Sequence, residues 1–222
     1  MRGPTATPPR LSTAAARSIG SVPRLLDPDA GHWSIRPSGP YSSTRRYLPG
    51  TLVLETTFTT ETGKVTPTDA MAFADGKRGH DVGLDAPHEL LRSVKGLSGR
   101  VKLRMELAPR PEYGLVKPLM RLDDAGRART FGGSGRVALR SGVALTMADS
   151  TIRATFTVAA CEVTGFALRW APPELRDPLP PTRPNAVAER IEETAEAWRS
   201  WEAEHDIYGG RIGSSCGKAH AC

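Results

Sequence analysis

The chain has 222 residues, enough for one domain of ordinary size or for a domain with tails. Hydrophobic residues make up 39% of it, and its 22 glycines bring the apolar content into the range of globular proteins, which excludes a wholly disordered chain. The sequence holds no long apolar run and no secretory signal at its start, so we expect a cytoplasmic protein without a membrane span. Its three cysteines, Cys161, Cys216 and Cys222, match neither a disulfide framework nor a paired zinc motif.

The net charge of +6 is concentrated near the N-terminus. Arg2, Arg10, Arg17 and Arg24 supply +4 with no acidic residue before Asp27, which leaves the rest of the chain with +2. Nucleic-acid binding requires a clustered basic surface. In the body of the chain, basic residues instead alternate with apolar ones, as on the solvated face of a strand. We therefore expect no nucleic-acid partner.

Residues 1–24 are predicted to form a disordered, basic, proline-rich tail. They mix prolines with Ser, Thr, Ala and Arg without any periodicity. An acid-free start rich in Arg and Ser is also typical of a mitochondrial transit peptide. That alternative is disfavoured because the segment has no amphipathic stripe and because its prolines would break a helix.

Residues 25–171 are predicted to form an all-β domain, an antiparallel β-sandwich of about ten or more strands. Runs rich in β-branched and aromatic residues alternate with Gly, Pro and Asp, and no helical pattern intervenes. They recur at spacings of roughly 8 to 12 residues, which is typical of a sandwich. The predicted strands cover residues 52–60, 64–73, 89–94, 100–107, 115–122, 127–131, 136–140, 143–147, 151–158 and 163–170.

Three features within these runs predict local structure. The turn residues 61–63 predict a hairpin between the first two strands. Pro67 lies in the middle of the second run, where proline has no N–H for a ladder, so this strand is predicted to lie at a sheet edge or to contain a bulge. The glycine-rich run 131–135 lacks the Lys-Ser/Thr and the following helix of a phosphate-binding loop, and it is predicted to be a tight connection.

The composition changes after the last predicted strand. Six prolines between residues 172 and 184 predict a stiff, extended linker. Residues 185–205 are predicted to form a helix with Asn185 as its N-cap. Its apolar positions are spaced by three and four, and they are Val187, Ile191, Ala195, Trp198 and Trp201. Because no apolar partner follows, we expect this stripe to be open to solvent and to cause poor solubility or association. Residues 206–222 are predicted to be an aberrant, disordered tail.

No residue pattern in the chain predicts an active site. Glu55, Glu106 and Glu162 are the candidates for a pair of hydrolytic carboxylates, but their spacing is typical of solvent-facing strand positions. Cys216, His220 and Cys222 lack a fourth zinc ligand and a standard spacing. We therefore expect no catalytic residues, no metal site and no cofactor.

Two further groups have ordinary structural interpretations. His80, Asp81 and His88 lie in or beside the loop 76–87, whose composition is that of a solvated turn. Cys161 lies between two β runs without a nucleophile-elbow motif, and we expect it to be buried.

Several motifs together resemble a known family. The chain is similar to the N-terminal β-sandwich domain of glycoside hydrolase family 15, the bacterial glucoamylase-like and trehalase-like proteins. The most specific motif is Leu107 to Gly114, which resembles the family's Pro-Arg-x-x-Tyr-Gly, and Glu193 to Trp201 is similar to its linker helix. The resemblance covers about residues 25–211, and its other stretches are 25–33, 46–56, 65–71, 89–92 and 96–101.

The resemblance implies a non-catalytic domain. In this family two glutamates act as acid and base in an (α/α)6 barrel that follows the linker helix, and no part of that barrel resembles this sequence. Residues 18–23 also lack the family's Gly-Ser-Ile-Asp-Trp, and residues 212–222 resemble nothing in it. We therefore expect a truncated fragment to which no catalytic residue carries over. The family-motif and expected interdomain-contact positions are Pro109, Arg110, Tyr113, Gly114, Trp198 and Trp201.

The resemblance thus implies an accessory domain of an enzyme of α-glucoside or trehalose metabolism, inactive by itself. Its expected partner is a missing or separately encoded catalytic (α/α)6 domain, and α-glucosides are expected ligands of the enzyme that the two would form. One alternative is a stand-alone carbohydrate-binding sandwich. A third is a scaffold that docks another protein through the tryptophan helix.

Overall fold

The computed structural model describes residues 31–124, 126–132, 135–172, 174 and 180–205. The predicted tails, residues 1–24 and 206–222, lie outside the described residues, as do residues 173 and 175–179 of the predicted linker. The strands are β1 His32–Pro37, β2 Ser42–Tyr47, β3 Leu54–Thr60, β4 Gly63–Met71, β5 Glu89–Ala108, β6 Leu119–Leu122, β7 Arg127–Phe131, β8 Arg136–Ser141, β9 Thr146–Ala148, β10 Thr151–Ala159 and β11 Val163–Ala171. The helix α1 spans Val187–His205.

The strands form two antiparallel sheets that share β5. The larger sheet has the order β2-β3-β4-β5-β11-β8-β7-β6. In the smaller sheet, β1 and β10 flank the second half of β5, and β9 pairs with β10. Every pairing is antiparallel, which confirms the predicted all-β antiparallel fold.

One long strand replaces two predicted ones. Runs 89–94 and 100–107 were expected to be separate strands. Instead, β5 continues without a break through residues 95–99 and has 20 residues in all. Glycine makes this possible at two points. Gly99 has φ +61°, and a Cβ on Gly96 would overlap the carbonyl oxygen of Ala159, the last residue of β10. The strand crosses between the sheets here.

Pro67 lies in an interior strand, so the predicted edge position is wrong. β4 pairs with both β3 and β5. The predicted bulge is confirmed, because the register against β5 shifts between Lys64 and Val65. Beside Pro67 the β3–β4 pairing also skips Thr56 and Thr57, where proline has no N–H to donate.

Side chains from the two faces of the larger sheet enter different cores. Phe166 and Leu168 of β11 point into the core between the sheets, together with Leu103, Met105 and Leu107 of β5. Ala167, which lies between them in sequence, points to the opposite face and packs under α1. The strand period of two thus builds three layers: the smaller sheet, the larger sheet and the helix.

The expectation that the helix stripe is open to solvent is wrong. Val187 is fully buried and Trp198 is only 9% exposed. The stripe packs on the outer face of the larger sheet, where Val53, Ala70, Ala72, Leu91 and Ala167 form its apolar partner. Small residues allow the close approach, since a Cβ on Gly165 would lie 2.7 Å from the Cβ of Val187.

The predicted N-cap at Asn185 is also wrong. A 3₁₀ turn over Pro184–Ala186 precedes α1, and Arg183 caps that turn with an extended backbone. Pro184 occupies the first position, where a missing N–H costs nothing. In the described part of the chain, no helix is both long enough and apolar enough to cross a membrane.

Candidate functional site

The motif loop Pro109–Gly114 directly follows β5 at the margin of the smaller sheet. Pro109 is buried, and residues Glu112–Gly114 form a 3₁₀ turn. Gly114 has φ +92°, a conformation that favours glycine, which explains that position of the motif. Tyr113 contributes its backbone to the turn, and its side chain lies outside what the structure describes.

Arg110 fixes this loop to a neighbouring turn. Its Nη1 donates to the carbonyl oxygens of Pro109, at 2.8 Å, and of Ser150, at 3.1 Å. Asp149 and Ser150 both have positive φ and form the tight β9–β10 turn. The arginine of the motif therefore ties two loops into one unit, a structural role that its place in the sequence did not reveal.

Exposed apolar side chains lie next in the chain after the motif loop. Leu115 is 85% exposed and Leu119 is 65% exposed. Leu119 pairs with Phe131 across the β6–β7 ladder, and Arg121 lies over the Phe131 ring at 5.5 Å. Leu115 directly follows the fixed loop, so it offers exposed apolar surface beside it.

The predicted tryptophans lie in a second group on α1. The Trp198 ring packs against Phe73 with centroids 5.1 Å apart, and the Trp201 ring stacks on His205 at 4.3 Å. Within the described residues, no hydrogen bond, ring contact or shared core cluster joins these side chains to the motif loop. The interdomain-contact role of the four motif-loop positions and of the two tryptophans stays a prediction. The Trp198 side chain is largely buried within this domain, so little of its surface is accessible to another domain.

The loop 76–87 is attached to α1 rather than freely solvated. Ser200 Oγ accepts a hydrogen bond from the backbone N–H of Gly79 at 2.9 Å. His80 packs edge-on against His205, with centroids 4.8 Å apart, and lies 3.5 Å from Glu204. The His80 side chain is nevertheless 69% exposed, so the expectation of a solvent-facing loop holds for it.

The three candidate carboxylates do not meet. Glu55 Oε1 accepts from Arg46 Nε at 2.7 Å, and Glu162 Oε2 accepts from the Ala159 N–H at 2.8 Å. Glu106 lies between His32 Nε2, at 2.7 Å, and Arg153 Nε, at 3.0 Å. The three carboxylates thus share no partner, and Glu106 has two partners of its own.

The pKa of Glu106 is perturbed by its surroundings. Burial raises it, but the hydrogen bonds and positive charges of Arg153 and His32 outweigh burial, so the pKa lies below its ordinary value of 4.5. A carboxyl group held ionised in this way is a poor general acid at neutral pH.

Cys161 is exposed, so its predicted burial is wrong. It occupies the β10–β11 turn with φ +66°, outside the strands on either side. Cys216, His220 and Cys222 lie outside the described residues. Among the residues that the structure covers, no group of His, Cys, Asp and Glu side chains converges as metal ligands would.

Glu89 is an anchoring residue that sequence reasoning missed. Its carboxylate is completely buried, and it accepts hydrogen bonds from Arg169 Nη2 at 3.1 Å, from the Thr182 N–H at 2.6 Å and from the Thr182 hydroxyl at 2.8 Å. It therefore fastens the segment before α1 to the larger sheet. A glutamate at the start of a strand gives no sequence signal of such burial.

Comparison with known proteins matches the sequence of this chain to a family. Residues 18–167 match the family described as trehalase-like, N-terminal. The trehalases of Mycolicibacterium smegmatis and Mycobacterium tuberculosis are each 29% identical to the chain over 197 residues, which is 80% of this chain and 28% of the relative. The chain thus spans a little over a quarter of the length of the curated relatives that it matches.

Proposed function

Because the chain belongs to the trehalase-like N-terminal domain family, we propose that it is the non-catalytic N-terminal domain of a family 15 glycoside hydrolase that acts on trehalose or another α-glucoside. The observation that carries this proposal is the family match, which covers β1 to β10 and more than half of β11. The trehalase relatives support the substrate class.

The arrangement of carboxylates supports a non-catalytic role. Glycoside hydrolysis uses two carboxyl groups set roughly 5 to 10 Å apart across the scissile bond. Glu55, Glu106 and Glu162 are each held by their own partners, and Glu106 is kept ionised by Arg153 and His32. The domain therefore needs a catalytic (α/α)6 partner, with the acid and base supplied from there.

The geometry of the motif loop supports a role for it as a contact surface for the catalytic domain. Pro109 is buried and Arg110 is tied to Ser150, so the loop presents a fixed backbone rather than an adaptable one. Leu115, the residue after the loop, offers exposed apolar surface next to it. Fixed loops with adjoining apolar surface suit a permanent domain contact.

A complementation assay tests the proposal. The full chain is mixed with a Mycolicibacterium smegmatis trehalase shortened by the region that matches it, and release of glucose from trehalose is measured. The chain alone is expected to release none, and the mixture is expected to exceed the shortened enzyme at least tenfold. Arg110→Ala should weaken the effect, whereas Arg100→Ala, on the exposed side of β5, serves as the matched control.

Two results would overturn the proposal. Hydrolysis of trehalose by the chain alone would place catalytic groups within it. Trehalose or maltose binding by the chain at millimolar concentration, measured by titration calorimetry, together with no complementation, would replace the proposal with the stand-alone carbohydrate-binding function.

A further inference from the structure

A cleft lined by arginines lies between the β7–β8 hairpin and the segment that enters α1. Its volume is about 340 Å³, and its lining includes Arg127 of β7, Arg140 of β8 and Arg183 just before the helix, with Ser141 and Asn185 beside them. This volume is at the lower end of the range for small-molecule sites. None of its described lining residues belongs to the motif loop or to the apolar stripe of α1.

The fold brings like charges together in this cleft. Arg127 and Arg140 are directly opposite each other in the β7–β8 ladder. Like charges in that position repel and destabilise a sheet. The pKa of Arg140 is lowered, first by burial and then by the positive charges of Arg127 and Arg183, while Asp123 and Glu89 act in the opposite direction.

The negatively charged groups near the cleft balance only part of the positive charge of its three arginines. Asp123 accepts from Arg127 Nε at 2.7 Å and from the Arg127 N–H at 2.9 Å. Glu89 is already engaged by Arg169 and Thr182. Arg140 Nη1 donates to a neutral carbonyl, that of Pro181, at 3.0 Å. Among the described residues, no carboxylate forms an ion pair with Arg140 or Arg183.

We propose that this cleft is a binding site for a phosphate dianion, either free or carried as a monoester by a small molecule. Among the described residues, three guanidinium groups line the cleft and the carboxylate of Asp123 pairs with one of them, which leaves an excess of two positive charges. A phosphate monoester carries about −1.5 to −2 near neutral pH, so it matches that excess where a single carboxylate does not. Planar guanidinium forks also donate in pairs to phosphate oxygens.

The start of the helix adds to the same preference. The 3₁₀ turn Pro184–Ala186 runs directly into α1, so the N-terminal end of nineteen helical residues lies at the cleft. Its positive dipole end favours an anion. The three arginines remain the principal feature, because the dipole alone is a weak attraction.

Titration calorimetry on the full chain tests the site, with NaCl holding the ionic strength constant. The probes are inorganic phosphate, glucose 6-phosphate, glucose and acetate. We expect inorganic phosphate to bind with a submillimolar Kd, and glucose and acetate to bind at least tenfold more weakly. Equal affinity for glucose 6-phosphate and phosphate supports free phosphate as the ligand, and tighter binding of glucose 6-phosphate supports a monoester.

Variants separate the site from general attraction to a basic protein. Arg140→Ala and Arg183→Ala should each raise the Kd for phosphate at least tenfold, and Arg183→Ala alters an exposed residue outside the sheets, so it should not unfold the chain. Arg129→Ala, on the exposed side of β7, removes the same charge outside the cleft and should leave the Kd unchanged. Equal binding of acetate, no phosphate binding, or equal loss in Arg129→Ala would each overturn the proposal.

Discussion

Replacing Trp198 with alanine is the most direct test of whether α1 is part of the folded domain. Trp198 is 9% exposed, and its ring contacts Phe73 within the cluster that joins the helix to the larger sheet. Truncation of a buried tryptophan to alanine typically costs about 3 to 5 kcal/mol in the free energy of unfolding. Domains have only about 5 to 15 kcal/mol in total, so Trp198→Ala is expected to lose a large part of it.

Urea unfolding followed by circular dichroism measures this loss, with the free energy of unfolding extrapolated to water. Trp201→Ala is the matched control, because Trp201 is only partly buried and stacks on His205 near the end of the helix. Its loss should be less than half that of Trp198→Ala. A loss below about 0.5 kcal/mol for Trp198→Ala, the size of a surface substitution, would refute the burial of the stripe.

Three further changes test other contacts. Gly165→Ala should lower the melting temperature because its Cβ would displace Val187, whereas Gly39→Ala, with open space around it, should melt like the wild type in circular dichroism. Glu89→Ala should cost about 3 to 5 kcal/mol in urea unfolding, since it leaves the buried partners unpaired, and Glu89→Gln should cost less because its amide oxygen can still accept a hydrogen bond from Thr182; equal losses would contradict this hydrogen-bonding argument. Because the folded pKa of Glu106 is depressed, its contribution to stability is present above pH 4.5 and is lost as the pH falls below it, so Glu106→Gln should flatten the stability profile on the acid side of pH 4.5; an unchanged profile would exclude this group.

Runs rich in β-branched and aromatic residues were predictable as strands, and polar runs were not. β10 and β11 match their predicted runs closely, and in β10 core and surface residues alternate. β2 was not among the predicted strands, since all six of its residues are exposed and polar residues dominate it. Its conformation comes from pairing with β3, a contact that the local sequence does not encode.

The burial of the helix stripe shows the same limit at the level of packing. The spacing of Val187, Ile191 and Trp198 predicted which side of the helix is apolar, and the structure confirms it. Its partner could not be identified, because Leu91 and Ala167 lie in strands that are apolar on both faces. Only the three-dimensional arrangement shows that one face is covered by the other sheet and the second by α1.

Of the two candidate sites, one was predictable from the sequence and the other was not. The motif loop was predicted from its resemblance to a family, and its fixed geometry depends on Arg110 reaching Ser150, 40 positions further along the chain. The arginine cleft gave no signal, since Arg127, Arg140 and Arg183 look like ordinary surface residues in the sequence. Their charges indicate a site only when the β7–β8 register, which places Arg127 and Arg140 opposite each other, is known.

The continuous β5 has a consequence for how the domain unfolds. Its first half is hydrogen-bonded between β4 and β11, and its second half between β1 and β10. Neither sheet can lose this strand without exposing the core that the other covers. We therefore expect the two sheets to unfold as one cooperative unit in a single transition, and the backbone amides of β5 to be the last to exchange with solvent.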